Sequence, residues 1–119
     1  MFHAVVQLDQ QHAQVLHFDT HQVHAARIEP QDRRAGDDGE HALFAAVCQA
    51  VQDTHEVLVT GACAAIAEFR GYVEAHRPQL VNHIADYRPA APLSQGQMLA
   101  LARQFFVSYD RRASLPTPG

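Results

Sequence analysis

The sequence of 119 residues contains no lysine, only two cysteines and no long uninterrupted apolar run. A membrane helix needs about 20 successive apolar residues, and the N-terminus lacks the basic start and apolar centre of a signal peptide. Both absences predict a cytoplasmic protein with no membrane span. Cys48 and Cys63 form no CxxC pair, so we expect free thiols in a reducing compartment.

Positive charge is scarce as well. All nine basic residues are arginines, and 13 acidic residues give a formal net charge of -4. No whole-surface positive field is therefore available to attract nucleic acid, and only a local arginine patch remains. Apolar residues make up 47% of the chain, which is enough for one ordinary core. We predict a single domain over residues 1–113 and a disordered tail over 114–119.

Three short alternating segments open the chain and predict strands over Phe2 to Leu8, His12 to Phe18 and Gln22 to Glu29. Their polar connections are too short for a crossover, so they join antiparallel neighbours. One face of the first strand carries Phe2, Ala4, Val6 and Leu8. We expect this face to point into the core.

The spacing of apolar residues then predicts three helices, over about 40–53, over 64–76 and after Ser94 as N-cap. Pro78 ends the second helix. Glu56 to Thr60 is a short apolar run closed by Gly61, typical of a parallel strand covered on both faces. Leu80 to Tyr87 is predicted as a fifth strand.

The predicted element order is βββαβαβα. An antiparallel meander extended by right-handed crossovers gives a mixed five-stranded sheet, in strand order 3-2-1-4-5, with helices packed on it. This is an α/β fold of ribonuclease H-like topology, in which strand 4 lies parallel to strand 1.

Three stretches in this order resemble a known family: HAVVQLDQQHAQVLHFD at 3–19, EVLVTGACAAIAEFRGYV at 56–73 and LSQGQMLALARQFF at 93–106. They resemble small bacterial translational machinery proteins, which are similar to the middle domain of archaeal and eukaryotic release factors and of Pelota. In Pelota-type middle domains a glycine ends the central strand, and an aromatic and a basic residue follow on the helix, here Phe69 and Arg70. The resemblance implies a non-enzymatic, translation-associated binding module. Its partner would be the ribosome, rRNA or a translation factor, and no cofactor is implied.

The resemblance also implies what is missing. Release factors carry a GGQ tripeptide between the third strand and the first helix, where it promotes peptidyl-tRNA hydrolysis. The matching loop here reads QDRRAGDDGEH at 31–41, and the only Gly-Gln pair is Gly96-Gln97 at the start of the third helix. Hydrolysis of peptidyl-tRNA is therefore not implied, and we predict no catalytic residues.

A metal-dependent hydrolase or nuclease is the alternative on this topology. It needs carboxylates that converge on two cations. Asp9 follows the first strand and Glu40 opens the first helix, but Thr60 stands where the fourth strand would need a carboxylate. We interpret Asp9 as a turn residue and Glu40 as a favourable charge at a helix N-terminus. A homo-oligomerising domain is a further alternative.

Nine histidines are an unusual number for this length. If the hairpins place His3 opposite His17 and His17 beside His24, three imidazoles meet and could bind Zn²⁺ or Ni²⁺. A register slip of one residue sends His17 to the other face, so scattered surface histidines are the competing interpretation. We predict no metal site. Nine imidazoles also move the net charge towards positive values as the pH falls through about 6.

Two cysteines and two arginine pairs complete the candidates. Cys63 opens a helix, where the dipole lowers a thiol pKa, and His41 and His55 are the nearest bases in sequence. The competing interpretation is small buried cysteines. The pairs Arg33–Arg34 and Arg111–Arg112 can grip phosphates bidentately. In the competing interpretation the arginines are solvated loop charges, because acidic residues lie beside both pairs in the sequence. We name these four arginines as the candidate RNA contacts.

Overall fold

The computed structural model describes the backbone of residues 2–9, 11–29 and 36–114, and the side chains of these ranges except 36–40 and 110–114. The strands are His3–Leu8 (β1), Ala13–Phe18 (β2), Val23–Ile28 (β3), Glu56–Gly61 (β4) and Ile84–Pro89 (β5). The helices are Gly36–Val51 (α1), Cys63–His76 (α2) and Gln95–Ser114 (α3), with a 3-10 helix at Pro78–His83.

The five strands form one mixed sheet in the order β3-β2-β1-β4-β5, which confirms the predicted topology. β1 pairs antiparallel with β2 and parallel with β4. β3 pairs antiparallel with β2, and β5 pairs parallel with β4. The chain therefore starts at the centre of the sheet and places β3 and β5 at its two edges.

Both hairpin turns of the meander are built by an aspartate. Asp9 Oδ1 accepts hydrogen bonds from the backbone N–H groups of Gln11 and His12 at 2.6 and 2.8 Å. Asp19 Oδ1 does the same two and three residues further on, at 2.8 and 2.7 Å. These bonds lower the pKa of Asp19 because they favour its charged form. The two turns fix the register of β1, β2 and β3, since the register of a hairpin follows its loop.

The sheet is buried on both faces. One face packs against α1 and α2 through alternate strand residues, including Ala4, Val6, Leu8, Val57 and Val59. The other packs against α3 through Val5, Leu16, Phe18 and Leu58, which meet Met98, Ala102 and Phe106. The predicted apolar stripes of α2 and α3 and the two-sided burial of β4 are thereby confirmed.

Phe2 departs from the prediction. It lies outside β1 and is 48% exposed, while the rest of its predicted face is buried. Its ring stacks on His55 with centroids 4.9 Å apart. The alternation of the sequence therefore continued one residue beyond the strand, which begins at His3.

The predicted fifth strand is also partly wrong. Residues 78–83 form a 3-10 helix, and β5 begins only at Ile84. Pro78 occupies the first turn, where its missing N–H costs nothing. Leu80 is 2% exposed and reaches the core from this turn rather than from a paired strand. An apolar residue can be buried either way, so the apolar pattern alone did not distinguish the two.

Candidate nucleic-acid interface

The carboxyl ends of β1, β3 and β4 lie at the same end of the sheet, where the strands run into loops. Leu8 pairs with both Ala13 and Gly61, and Ala13 pairs with Ile28. We call this the loop edge, defined by these four residues. β3 ends here at Ile28, and Arg33 and Arg34 follow it in the sequence, outside the described residues.

One residue inward from the loop edge, polar side chains cross all five strands. This polar row consists of Arg27, Gln14, Gln7, Thr60 and Arg88, each paired with the next. The period of two along a strand places it on the face that packs against α3. The polar row therefore borders the loop edge and ends in an arginine on each outer strand, Arg27 on β3 and Arg88 on β5.

Gln7, at the centre of the row, fixes the approach to α3. Its Oε1 accepts from the backbone N–H of Leu93 at 2.8 Å, and its Nε2 donates to the carbonyl of Leu93 at 3.1 Å. Ser94 then caps the helix as predicted: Ser94 Oγ accepts from the N–H of Gln97 and Gln97 Oε1 accepts from that of Ser94. Gly96-Gln97 is thus held in the first turn of α3, which begins two residues after Leu93 and therefore lies near the loop edge.

The two arginines that end the polar row are exposed. Arg27 pairs through Nε with Glu29 at 2.8 Å, and its side chain is 57% exposed. Arg88 pairs through Nε with Asp86 at 3.0 Å and is 52% exposed. Exposed ion pairs contribute at most about 1 kcal/mol. A phosphate can therefore compete for either guanidinium without disturbing the fold.

The four arginines named from the sequence have side chains outside the described part of the chain. Arg33 and Arg34 lie outside the described residues. Arg111 and Arg112 lie on the last turns of α3, but their side chains are outside the described part as well. Both pairs remain predictions.

The three-imidazole cluster is not formed. His17 pairs with His24 across β2 and β3, as predicted, but His3 pairs with Phe18 rather than with His17. This one-residue difference puts His3 on the α3 face, where Nε2 bonds Glu56 Oε1 at 2.8 Å. His17 Nε2 instead donates to the carbonyl of Ala50 on α1 at 2.9 Å. Within the described ranges, no group of three potential metal-ligating side chains is placed to hold an ion.

Of the two carboxylates named for the nuclease alternative, only the side chain of Asp9 is among the described ones. Asp9 is occupied by its turn, and its Oδ2 also pairs with His12 Nδ1 at 2.9 Å. Glu40 is the fifth residue of α1, which begins at Gly36, so it does not open the helix as predicted. Thr60 is fully buried, and its hydroxyl has no hydrogen-bond partner among the described atoms.

The two cysteines differ in burial. Cys48 is 1% exposed, and burial raises the pKa of its thiol to about 11, so it is protonated at neutral pH. Cys63 is exposed at the start of α2. The ring contacts of His41 are to Tyr72 and His76, and those of His55 are to Phe2 and His83.

We expect iodoacetamide at neutral pH to alkylate Cys63 quickly and Cys48 only after unfolding, because only an accessible thiolate reacts. Intact-mass spectrometry would give one label on the native protein and two on the denatured protein. Cys63→Ser should leave the native protein unlabelled. Rapid labelling of native Cys63→Ser would contradict the burial of Cys48.

An arginine and two aromatic rings form a group on the α3 face that was not predicted from the sequence. The guanidinium carbon of Arg88 lies 4.8 Å from the ring centroid of Phe105. The ring of Phe105 stacks on Tyr109, with centroids 5.6 Å apart and 21° between the planes. The spacing of four between these aromatics on a helix was readable from the sequence. The approach of Arg88 from β5 was not.

Comparison with known proteins gives a likeness of fold. No family model and no curated protein matches the sequence. The archaeal translation termination factor aRF1 matches in structure, with a TM-score of 0.58 and 7% identity, over 94% of this chain and 42% of that one. The fold resembles the release factor middle domain.

Two further solved structures agree. An archaeal protein has a TM-score of 0.57 and 11% identity over 94% of this chain and 41% of its own. Dom34 of S. cerevisiae, described as a translation termination-like factor in RNA quality control that interacts with Hbs1, gives 0.57 and 11% over 89% and 33%. The chain thus spans less than half of each of these proteins. The predicted likeness to release factors is confirmed at the level of fold.

Proposed function

We propose that this protein is a non-enzymatic, translation-associated binding module that contacts the ribosome through RNA at its loop edge. The observation that carries the proposal is the fold, which matches aRF1 over 94% of this chain. The match reaches only 42% of aRF1, so the proposal concerns one module and not the activity of the whole factor.

The position of the arginines supports contact at the loop edge. Arg33 and Arg34 follow β3 by a few residues, and the exposed Arg27 lies on β3 itself. With a net charge of -4, contact with phosphate has to be local. The segment 31–41 contains no GGQ, which supports binding without peptidyl-tRNA hydrolysis. Among the described residues, no helix is both long and apolar enough to cross a membrane.

Sedimentation of the tagged full chain with ribosomes from native lysate tests the proposal directly. We expect the protein to sediment with ribosomes at low salt and to be released as salt rises, since phosphate contacts release counterions. A protein that stays in the supernatant at every salt concentration would contradict the function.

Replacing both Arg33 and Arg34 by alanine should weaken RNA binding at low salt. Each phosphate contact on a single strand contributes about 0.7 to the slope of log affinity against log salt, so the slope should fall by about 1.4. Thermal stability should be nearly unchanged, because exposed charges contribute little to folding. Fluorescence anisotropy with a short labelled RNA over a salt series measures the affinity and its salt slope. Thermal unfolding measures the stability.

The matched control removes the same two charges elsewhere, at Arg70 and Arg103. Arg70 pairs with Glu74 on α2, and Arg103 donates to the carbonyl of Asp19. Arg70 lies on α2 and Arg103 on α3, so neither belongs to the segment between β3 and α1. An equal loss of affinity in both double variants would mean that net charge alone, and not the loop edge, determines binding.

A further inference from the structure

A cleft of about 340 Å³ lies between β5 and the middle of α3. We call it the aromatic cleft; it is lined by Arg88, Leu101, Gln104, Phe105, Ser108 and Tyr109. Its volume is at the lower end of the range for small-ligand sites, which run from about 300 Å³ upward. The cleft is large enough for a single small planar group rather than a folded domain.

Two stacked rings form its apolar wall. Phe105 and Tyr109 are both half-buried, so part of each ring faces the cleft. Their planes are within 21° of parallel. Phe106 meets both rings edge-on and is itself buried in the α3 core, which holds the pair in place. Phe105 lies between Arg88 and Tyr109, so the stack is preformed, Tyr109 is the ring left for a ligand, and neither ring has to be ordered on binding.

Arg88 supplies the positive charge. Its Nε donates to Asp86 Oδ2 at 3.0 Å, which orients the guanidinium over Phe105, and the two terminal nitrogens provide further N–H donors. The exposed side chains of Gln104 and Ser108 line the same cleft. A flat aromatic surface, a cation and neutral hydrogen-bonding groups therefore adjoin one another.

We propose that the aromatic cleft binds one nucleotide of a single-stranded RNA, with its base stacked on Tyr109 and its phosphate held by Arg88. Stacking on aromatic side chains next to a positive charge is how proteins bind unpaired nucleotides with little sequence preference. Gln104 and Ser108 face the ribose hydroxyls. The inference rests on the proposed function and gives the RNA contact a second point on the α3 face.

Arg70 is an arginine in a setting similar to that of Arg88 but outside the aromatic cleft. It also pairs with a carboxylate, Glu74 at 3.3 Å, and its guanidinium also lies over a ring, 5.4 Å from the centroid of Tyr87. Tyr87 is half-buried like Phe105, but no other described ring stacks on it, and it does not line the aromatic cleft. Arg70 is therefore a matched control, with the same pairing and a ring beneath it but without the second ring and the cleft.

The test uses a short single-stranded RNA with one 2-aminopurine, whose fluorescence is quenched by stacking. The full-length protein should quench it on binding. Tyr109→Leu should abolish the quenching and weaken binding on the order of ten-fold, since leucine fills the space but does not stack. Arg88→Gln should reduce the salt slope by about 0.7, and Arg70→Gln should leave quenching and slope unchanged. Thermal unfolding of each variant checks that the fold is intact.

Folded Tyr109→Leu that still quenches and binds like the parent would overturn the inference. So would a parent that binds no RNA but binds a proline-rich peptide at Tyr109, which is the protein-partner outcome. Ribosome sedimentation of the same parent and variants is measured separately, because it tests the proposed function and not the cleft. Quenching that depends on Tyr109, without sedimentation, would support the cleft and contradict the proposed function.

Discussion

Replacing Gly61 by alanine is expected to destabilise the protein severely. Gly61 has a φ of 131°, a conformation that residues with a side chain rarely adopt. A Cβ built there would lie 2.1 Å from the carbonyl oxygen of Leu8 on the neighbouring strand, and backbone atoms cannot move aside cheaply. Strain and overlap together predict a loss of about 3 kcal/mol or more in the free energy of unfolding.

Gly71→Ala is the matched control in the same measurement by urea denaturation. Gly71 lies inside α2, and a Cβ there would meet nothing within 4 Å. Alanine should raise the free energy of unfolding by about 0.5–1 kcal/mol, because it has the higher helix propensity. If the two variants changed stability by the same amount, the close approach of β1 and β4 at the loop edge would be contradicted.

The second large effect is expected at Phe69. Its side chain is 1% exposed, on the face of the sheet that α1 and α2 cover. It meets the ring of Phe44 edge-on, with centroids 5.4 Å apart. Phe69→Ala should lower the free energy of unfolding by about 4 kcal/mol, from lost burial and the cavity left behind. Total stabilities of small domains are about 5–15 kcal/mol, so the variant should be only marginally folded.

Phe2→Ala makes the comparison for the same substitution at an exposed ring. Phe2 is 48% exposed, and its loss should cost no more than about 1 kcal/mol. Thermal and urea unfolding followed by circular dichroism would measure both variants. A Phe69→Ala protein as stable as Phe2→Ala would show that α2 does not pack on the sheet as described.

The strand order was predictable because it depends on short-range features. Two polar turns can only join antiparallel neighbours, and the structure shows Asp9 and Asp19 making the turns that the sequence suggested. The apolar run before Gly61 indicated a strand buried on both faces, and β4 is such a strand. Turn residues and apolar spacing within a few residues specify these elements, so the sequence pattern was sufficient to predict them.

The remaining features depend on the exact geometry of a turn or on contacts between distant parts of the chain. The register that separates His3 from His17 follows from the turn geometry, and shifting it by one residue would have formed the proposed cluster. Leu80 satisfied a strand pattern while a 3-10 helix buried it. The aromatic cleft brings a strand and a helix together, and only the spacing of Phe105 and Tyr109 was visible beforehand.

The central position of β1 has a kinetic consequence. Its pairing with β2 needs only a short turn, whereas His3 meets Glu56 across 53 residues of sequence. Closing a loop costs entropy that grows with its length, so local hairpins are favoured to form before the parallel pairing. During synthesis the meander is complete before β4 exists, and until then the other edge of β1 has no strand to pair with. The two aspartate turns thus prepare a template onto which the rest of the sheet is added in the order of the chain.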